Sequence, residues 1–96
     1  KAIPYLKAMP SVNLAYAQLM ANDNRAALET LKKLNLTDGY EYYMMAVAAA
    51  RIKDVQTMAV ALQKAIQLDP QLKQMAGTDK EFYPYAQESI YLDIVD

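Results

Sequence analysis

The two carboxylates best spaced for acid–base chemistry are Asp38 and Glu41, three residues apart. On one turn of helix, such a pair can divide into a general acid and a general base if its surroundings push the two pKa values apart. The neighbouring residues argue for a different role. Asn35-Leu36-Thr37-Asp38-Gly39 is a connector. An Asp followed three residues later by a Glu makes a capping box, in which each side chain satisfies a backbone N–H that the first helical turn leaves open. No nucleophile or metal-ligand set accompanies the pair. The chain has neither Cys nor His, so it lacks thiolates, disulfides and imidazole bases. We therefore expect no enzymatic activity, with no catalytic, metal-binding or cofactor-binding residue.

Composition narrows the remaining classes. The 96 residues allow one domain, and the 54% hydrophobic fraction rests on Ala, Leu and Met. Two Gly and four Pro suit helices better than a β-sandwich or a disordered segment. A net charge of −1 with no visible basic patch excludes an ordinary nucleic-acid binder. The longest apolar run, residues 42–50, is half the length of a membrane span, so no direct membrane insertion is expected. Charge is unevenly divided. Residues 1–78 carry nine basic and six acidic groups, whereas residues 79–96 carry one and five. The acidic stretch is either a solvated end or a tail that folds back onto a mildly basic groove.

The apolar spacing and the capping residues predict a series of helices. Residues 1–9 place Ile3, Leu6 and Met9 on one side and end at Pro10. Ser11 can cap residues 12–21, whose stripe is Leu14, Ala17 and Ala21. Asp23 caps residues 25–34, with Leu28, Leu31 and Leu34 inward. Asp38 opens residues 40–51, and Asp54 opens residues 55–68, with Met58, Leu62, Ala65 and Ile66 inward. Asp69 precedes Pro70 at the start of a short helix closed by Gly77. Thr78 to Glu81 reads as a second capping box, for a brief helix near Tyr83 that Pro84 interrupts. The tail admits two readings. Ile90, Leu92 and Ile94 alternate as a strand would, whereas Ala86, Tyr91 and Val95 suit a helix.

Two stretches repeat each other at an offset of 31 residues, pairing Leu14 with Met45, Ala15 with Ala46, Asp23 with Asp54 and Leu31 with Leu62. A fixed period in this range signals stacked helical repeats. Ala15 and Ala46 are small enough to let two helix axes cross at about 8–10 Å. The run Gln63-Lys64-Ala65-Ile66-Gln67-Leu68-Asp69-Pro70 closely resembles the end of a tetratricopeptide repeat. The first unit resembles that family more weakly, with Ala27 at the small position of its second helix. The chain departs from the family pattern at Ser11, Leu34 and Met58. The resemblance implies an all-α fold of antiparallel helix pairs stacked as a short right-handed superhelix. It divides the chain into a trailing helix at 1–9, repeats at 10–38 and 39–70, and capping helices with an acidic tail at 71–96.

In that family the first helix of each unit lines a concave groove that holds a peptide. The matching positions are Asn13, Tyr16, Leu19 and Met20, then Tyr40, Tyr43, Met44, Val47 and Arg51. The resemblance thus implies a non-enzymatic protein–protein interaction module with a protein or peptide partner. The alternative is a spacer or assembly domain at the C-terminal end of a larger bacterial cell-envelope protein, without a ligand of its own. The chain starts at Lys1, not Met, and Ile3, Leu6 and Met9 have nothing before them. We therefore expect a longer protein, with the N-terminal helix packing against the rest of it or against a second copy.

Overall fold

A computed structural model describes residues 11–95. The expected helix at residues 1–9 and the final Asp96 lie outside the described residues. Among those described, all regular structure is helical. Helices α1 (Val12–Met20), α2 (Asn24–Lys32), α3 (Gly39–Arg51), α4 (Val55–Leu68) and α5 (Gln71–Thr78) are followed by a 3₁₀ segment (Lys80–Tyr85) and α6 (Ser89–Val95). The tail is therefore helical, not a strand.

The 31-residue offset is written into the backbone. Asn22 and Lys53 are the two non-glycine residues with positive φ among those described, at 64° and 63°. The hydrogen bonds around them correspond one by one. Asp23 N–H reaches Gln18 O and Asp54 N–H reaches Ala49 O, at 2.8 and 2.9 Å. Asn22 N–H reaches Leu19 O and Lys53 N–H reaches Ala50 O, at 2.9 and 3.1 Å. Each set is a Schellman motif, which turns a helix end sharply into the next element by means of one left-handed residue. The helix pairs α1–α2 and α3–α4 thus share one turn. A third pair follows in chain order, since α5 begins 32 residues after α3, and α6 34 residues after α4.

Ala15, Ala27, Ala46, Ala48, Ala49 and Ala65 are fully buried with Leu31, Met58, Leu62 and Phe82. The many buried alanines let α2, α3 and α4 approach closely while the larger side chains interlock. Gly39 marks the tightest approach. A Cβ there would lie 3.0 Å from Ala65 O and from Asp69 Cβ, so the start of α3 sits against the end of α4.

Several local expectations change. In α1 the buried residues are Ala15 and Leu19, not the stripe of Leu14, Ala17 and Ala21, because α2 and α3 cover the opposite side. Helix α2 ends at Lys32, two residues early, and leaves Leu34 half-buried. Asp23 makes no side-chain cap bond. Gly77 does not close α5. Its φ is not positive, and it lies within the helix. Thr78 donates back to Met75 O at 3.3 Å instead of capping, and Asp79 takes the cap by accepting from Glu81 N–H at 3.0 Å. The 3₁₀ segment runs through Pro84. Ser11 and Asp54 cap as expected, accepting from Leu14 and Thr57 N–H at 3.0 and 3.2 Å. Glu41 Oε1 accepts from Asp38 N–H at 3.3 Å, which is a structural role for the Glu41 carboxylate.

Candidate partner-binding groove

Helix α3 carries Tyr40, Tyr43, Met44, Val47 and Arg51 at spacings of three and four, which puts them on one stripe. Helix α1 runs beside it and presents Tyr16, Leu19 and Met20. Met75 comes from α5, while Asp79 and Glu81 come from the bend that follows. These eleven residues enclose an open cavity of about 300 Å³. The first helix of each successive pair contributes to it, and α2, α4 and α6 do not. Of the candidate residues, Asn13 alone lies elsewhere. It faces a second depression with Ser11, Leu14 and Ala17.

The cavity has a buried floor and exposed walls. Tyr43 and Met44 are buried at 3% and 5% exposure. Tyr16 and Tyr40 are half exposed, and Met20 is 67% exposed. Rigid aromatic rings with a polar tip, next to flexible thioethers, form a surface that adapts to an apolar side chain. Tyr40 stacks on Tyr43 with ring centroids 6.3 Å apart and planes 11° apart. Tyr43 in turn meets Phe82 edge-on at 5.8 Å, and Phe82 meets Tyr91 at 5.9 Å. The aromatic row ties the groove floor to the C-terminal elements.

Two residues of the α3 stripe, Tyr43 and Arg51, are engaged within the chain through their polar groups. The Tyr43 hydroxyl donates to Asp79 Oδ2 at 2.5 Å. Burial pushes the Tyr43 hydroxyl well above the usual tyrosine range, and the hydrogen bond and charge of Asp79 add to that shift. Arg51 forks onto Glu81 and also donates to Leu19 O at 3.1 Å and Asn24 Oδ1 at 3.0 Å. The Glu81 hydrogen bond raises the Arg51 pKa further, against an opposing desolvation effect. Arg51 therefore ties the end of α1, the start of α2 and the 3₁₀ segment to the end of α3.

Asp79, Glu81 and Met75 are the groove residues that the sequence motifs did not identify. For Asp79 and Glu81 the one signal was the surplus of acidic groups after residue 78, and Met75 had none. Two further tyrosines hold this region in place. Tyr85 and Tyr91 donate to Ala50 O and Ala76 O, each at 2.7 Å. Among the described residues no buried side-chain polar atom lacks a hydrogen-bond partner, and no helix is long and apolar enough to cross a membrane. Comparison of the chain with protein families, characterised proteins and solved structures finds no match.

Proposed function

We propose that this chain is a non-enzymatic interaction module that resembles a tetratricopeptide array and holds a peptide segment of a protein partner in the α1–α3–α5 groove. One observation carries this reading. Half-exposed Tyr16 and Tyr40 and exposed Met20 surround a preformed apolar floor in a single cavity. Binding surfaces are enriched in such residues, because large rings bury much area at little entropic cost. A cavity of about 300 Å³ is at the small end for a ligand site and suits one or two anchoring side chains.

The test uses residues that the fold does not need. A displayed peptide library is selected on the intact chain, and the enriched peptides are measured against a Tyr16→Ser, Met20→Gln, Tyr40→Ser triple variant. We expect binding to fall at least about thirtyfold, as hot-spot truncations worth about 2 kcal/mol or more imply, with the melting temperature held within a few degrees. Unchanged affinity, or no enriched peptide, would overturn the proposal.

The internal engagement of Tyr43 and Arg51 favours a second reading, a spacer or assembly domain in a longer protein without a ligand of its own. In that case the triple variant changes nothing, and substituting Tyr43 or Arg51 affects stability alone.

A further inference from the structure

We infer that the groove is built to take a cationic side chain on an aliphatic stem, such as a lysine of the partner segment, lying along the tyrosines with its ammonium at Asp79. This rests on the groove being the binding face and goes further by naming the chemistry of the anchor.

Among the described residues, the charges lining the groove do not cancel. Arg51 faces two carboxylates, Glu81 and Asp79. Its fork is committed to Glu81, with Nε to Oε1 at 3.0 Å and Nη2 to Oε2 at 2.7 Å. Among the described residues, the hydrogen-bond partners of Asp79 are neutral, the Tyr43 hydroxyl and the Glu81 N–H. One negative charge therefore remains on a partly buried carboxylate, whose oxygens each have lone pairs left to accept further donors. Lys80 follows Asp79 in the chain but is exposed and does not line the cavity.

The remaining walls fit the same guest. Tyr16 and Tyr40 are each half exposed, and a cation is drawn to an aromatic face. Met20 and Met75 give soft apolar contact to a methylene stem. An anionic anchor would meet Asp79 with Arg51 already occupied. A purely apolar anchor would leave the surplus charge uncompensated.

The methionines serve as reporters. Met20, Met44 and Met75 line the groove, whereas Met45 and Met58 do not and act as controls. The intact chain, with ¹³C-labelled methionine methyls, is titrated with hexylammonium chloride, hexanol and sodium hexanoate at equal, low ionic strength. Hexylammonium should move the groove methyls and bind about threefold to tenfold more tightly than hexanol, with hexanoate weakest. Asp79→Asn should erase the preference for the cation. In the unmodified protein, raising salt to about 0.5 M should shrink it as well, which keeps the test independent of how well the variant folds. Equal binding of hexanol and hexylammonium overturns the cation assignment while leaving the groove as a binding face. Tighter binding of hexanoate overturns it too. If no probe moves the groove methyls, both the assignment and the binding face fall.

Discussion

Arg51 and Glu81, thirty residues apart, meet in a two-point fork with N–O distances of 3.0 and 2.7 Å. The side chains are 28% and 31% exposed, so solvent screens the pair only in part. Arg51 also holds the Leu19 carbonyl, which accepts from the Asn22 N–H at the α1–α2 turn as well. Lysine cannot reproduce this, because a single ammonium lacks the planar fork. We expect Arg51→Lys to cost about 1–2 kcal/mol and Glu81→Gln about 0.5–1 kcal/mol. Thermal unfolding of both variants and of the double variant gives the coupling. Additive losses would show that the two residues act independently.

Tyrosine ionisation should set the alkaline limit of stability. Burial raises the pKa of Tyr43, Tyr85 and Tyr91 in the folded chain. A raised folded value means that the unfolded chain loses its proton first. The stabilisation is complete below the ordinary tyrosine value of about 10 and is lost as pH rises through the folded values. Melting temperature should therefore fall steeply above about pH 10. Tyr43→Phe should make that fall shallower, at a cost near neutrality of about 1 kcal/mol from the lost donor to Asp79. An identical alkaline slope in Tyr43→Phe would remove Tyr43 from the explanation.

Asp54 gives the opposite dependence on the acid side. The Thr57 hydroxyl and N–H hold its carboxylate below the usual range. A depressed folded value means that the stabilisation is present above the unfolded value of about 4 and is lost as pH falls through the folded value. Asp54→Asn should therefore lower the melting temperature at pH 6 and converge on the unmodified protein at about pH 2. A gap that stays constant over that range would assign the loss to cap geometry instead of charge.

The two glycines should respond in opposite directions. Gly77 lies within α5 without positive φ, and a Cβ there would meet nothing within 4 Å. Gly77→Ala should stabilise the chain by up to about 1 kcal/mol, because alanine loses less backbone entropy in a helix. Gly39→Ala should destabilise it, since its Cβ would press on the α4 backbone at Ala65 O, 3.0 Å away. Backbone cannot yield as a flexible side-chain tip can. Denaturant midpoints of the two variants, shifted in opposite directions, are the expected result.

Local signals carried most of the helices. Ser11 and Asp54 declared their helix starts, and Asp69 with Pro70 marked the end of α4. The α3 groove positions came from the tetratricopeptide resemblance, and their helical spacing is why Tyr40, Tyr43, Met44, Val47 and Arg51 fall on one face. Other features depend on contacts between elements distant in sequence. In α1 the Leu14–Ala17–Ala21 spacing and the helix crossing at Ala15 point to different sides, and α2 and α3 cover the side of Ala15 and Leu19. Asn13 was misplaced for the same reason. Glu81 reaches Arg51 only because the chain bends at Asp79, and that bend follows from Asp79 taking the cap from Thr78. Gly77 was misleading because glycine also occurs inside helices where no neighbour needs the space.

The shared turn offers the last test, at Lys53. Its φ of 63° is a left-handed conformation that costs a side chain with a Cβ about 1 kcal/mol, whereas glycine adopts it freely. Asn22 holds the equivalent place in the first pair, at 64°, and asparagine tolerates this region better than lysine. Lys53→Gly should therefore stabilise the chain by about 0.5–1 kcal/mol, and Asn22→Gly by less. The backbone hydrogen bonds around the two positions match, but Asn22→Gly also removes the bond that Asn22 Oδ1 accepts from the Asn24 side chain at 3.2 Å. The Lys53 turn lies two residues after Arg51, at the end of α3, so a more stable turn should hold the Arg51–Glu81 fork more firmly. Slower amide exchange at position 53 and at Asp54 in Lys53→Gly, alongside a raised melting temperature, would show that effect. A lowered melting temperature would mean that the turn is not left-handed in solution.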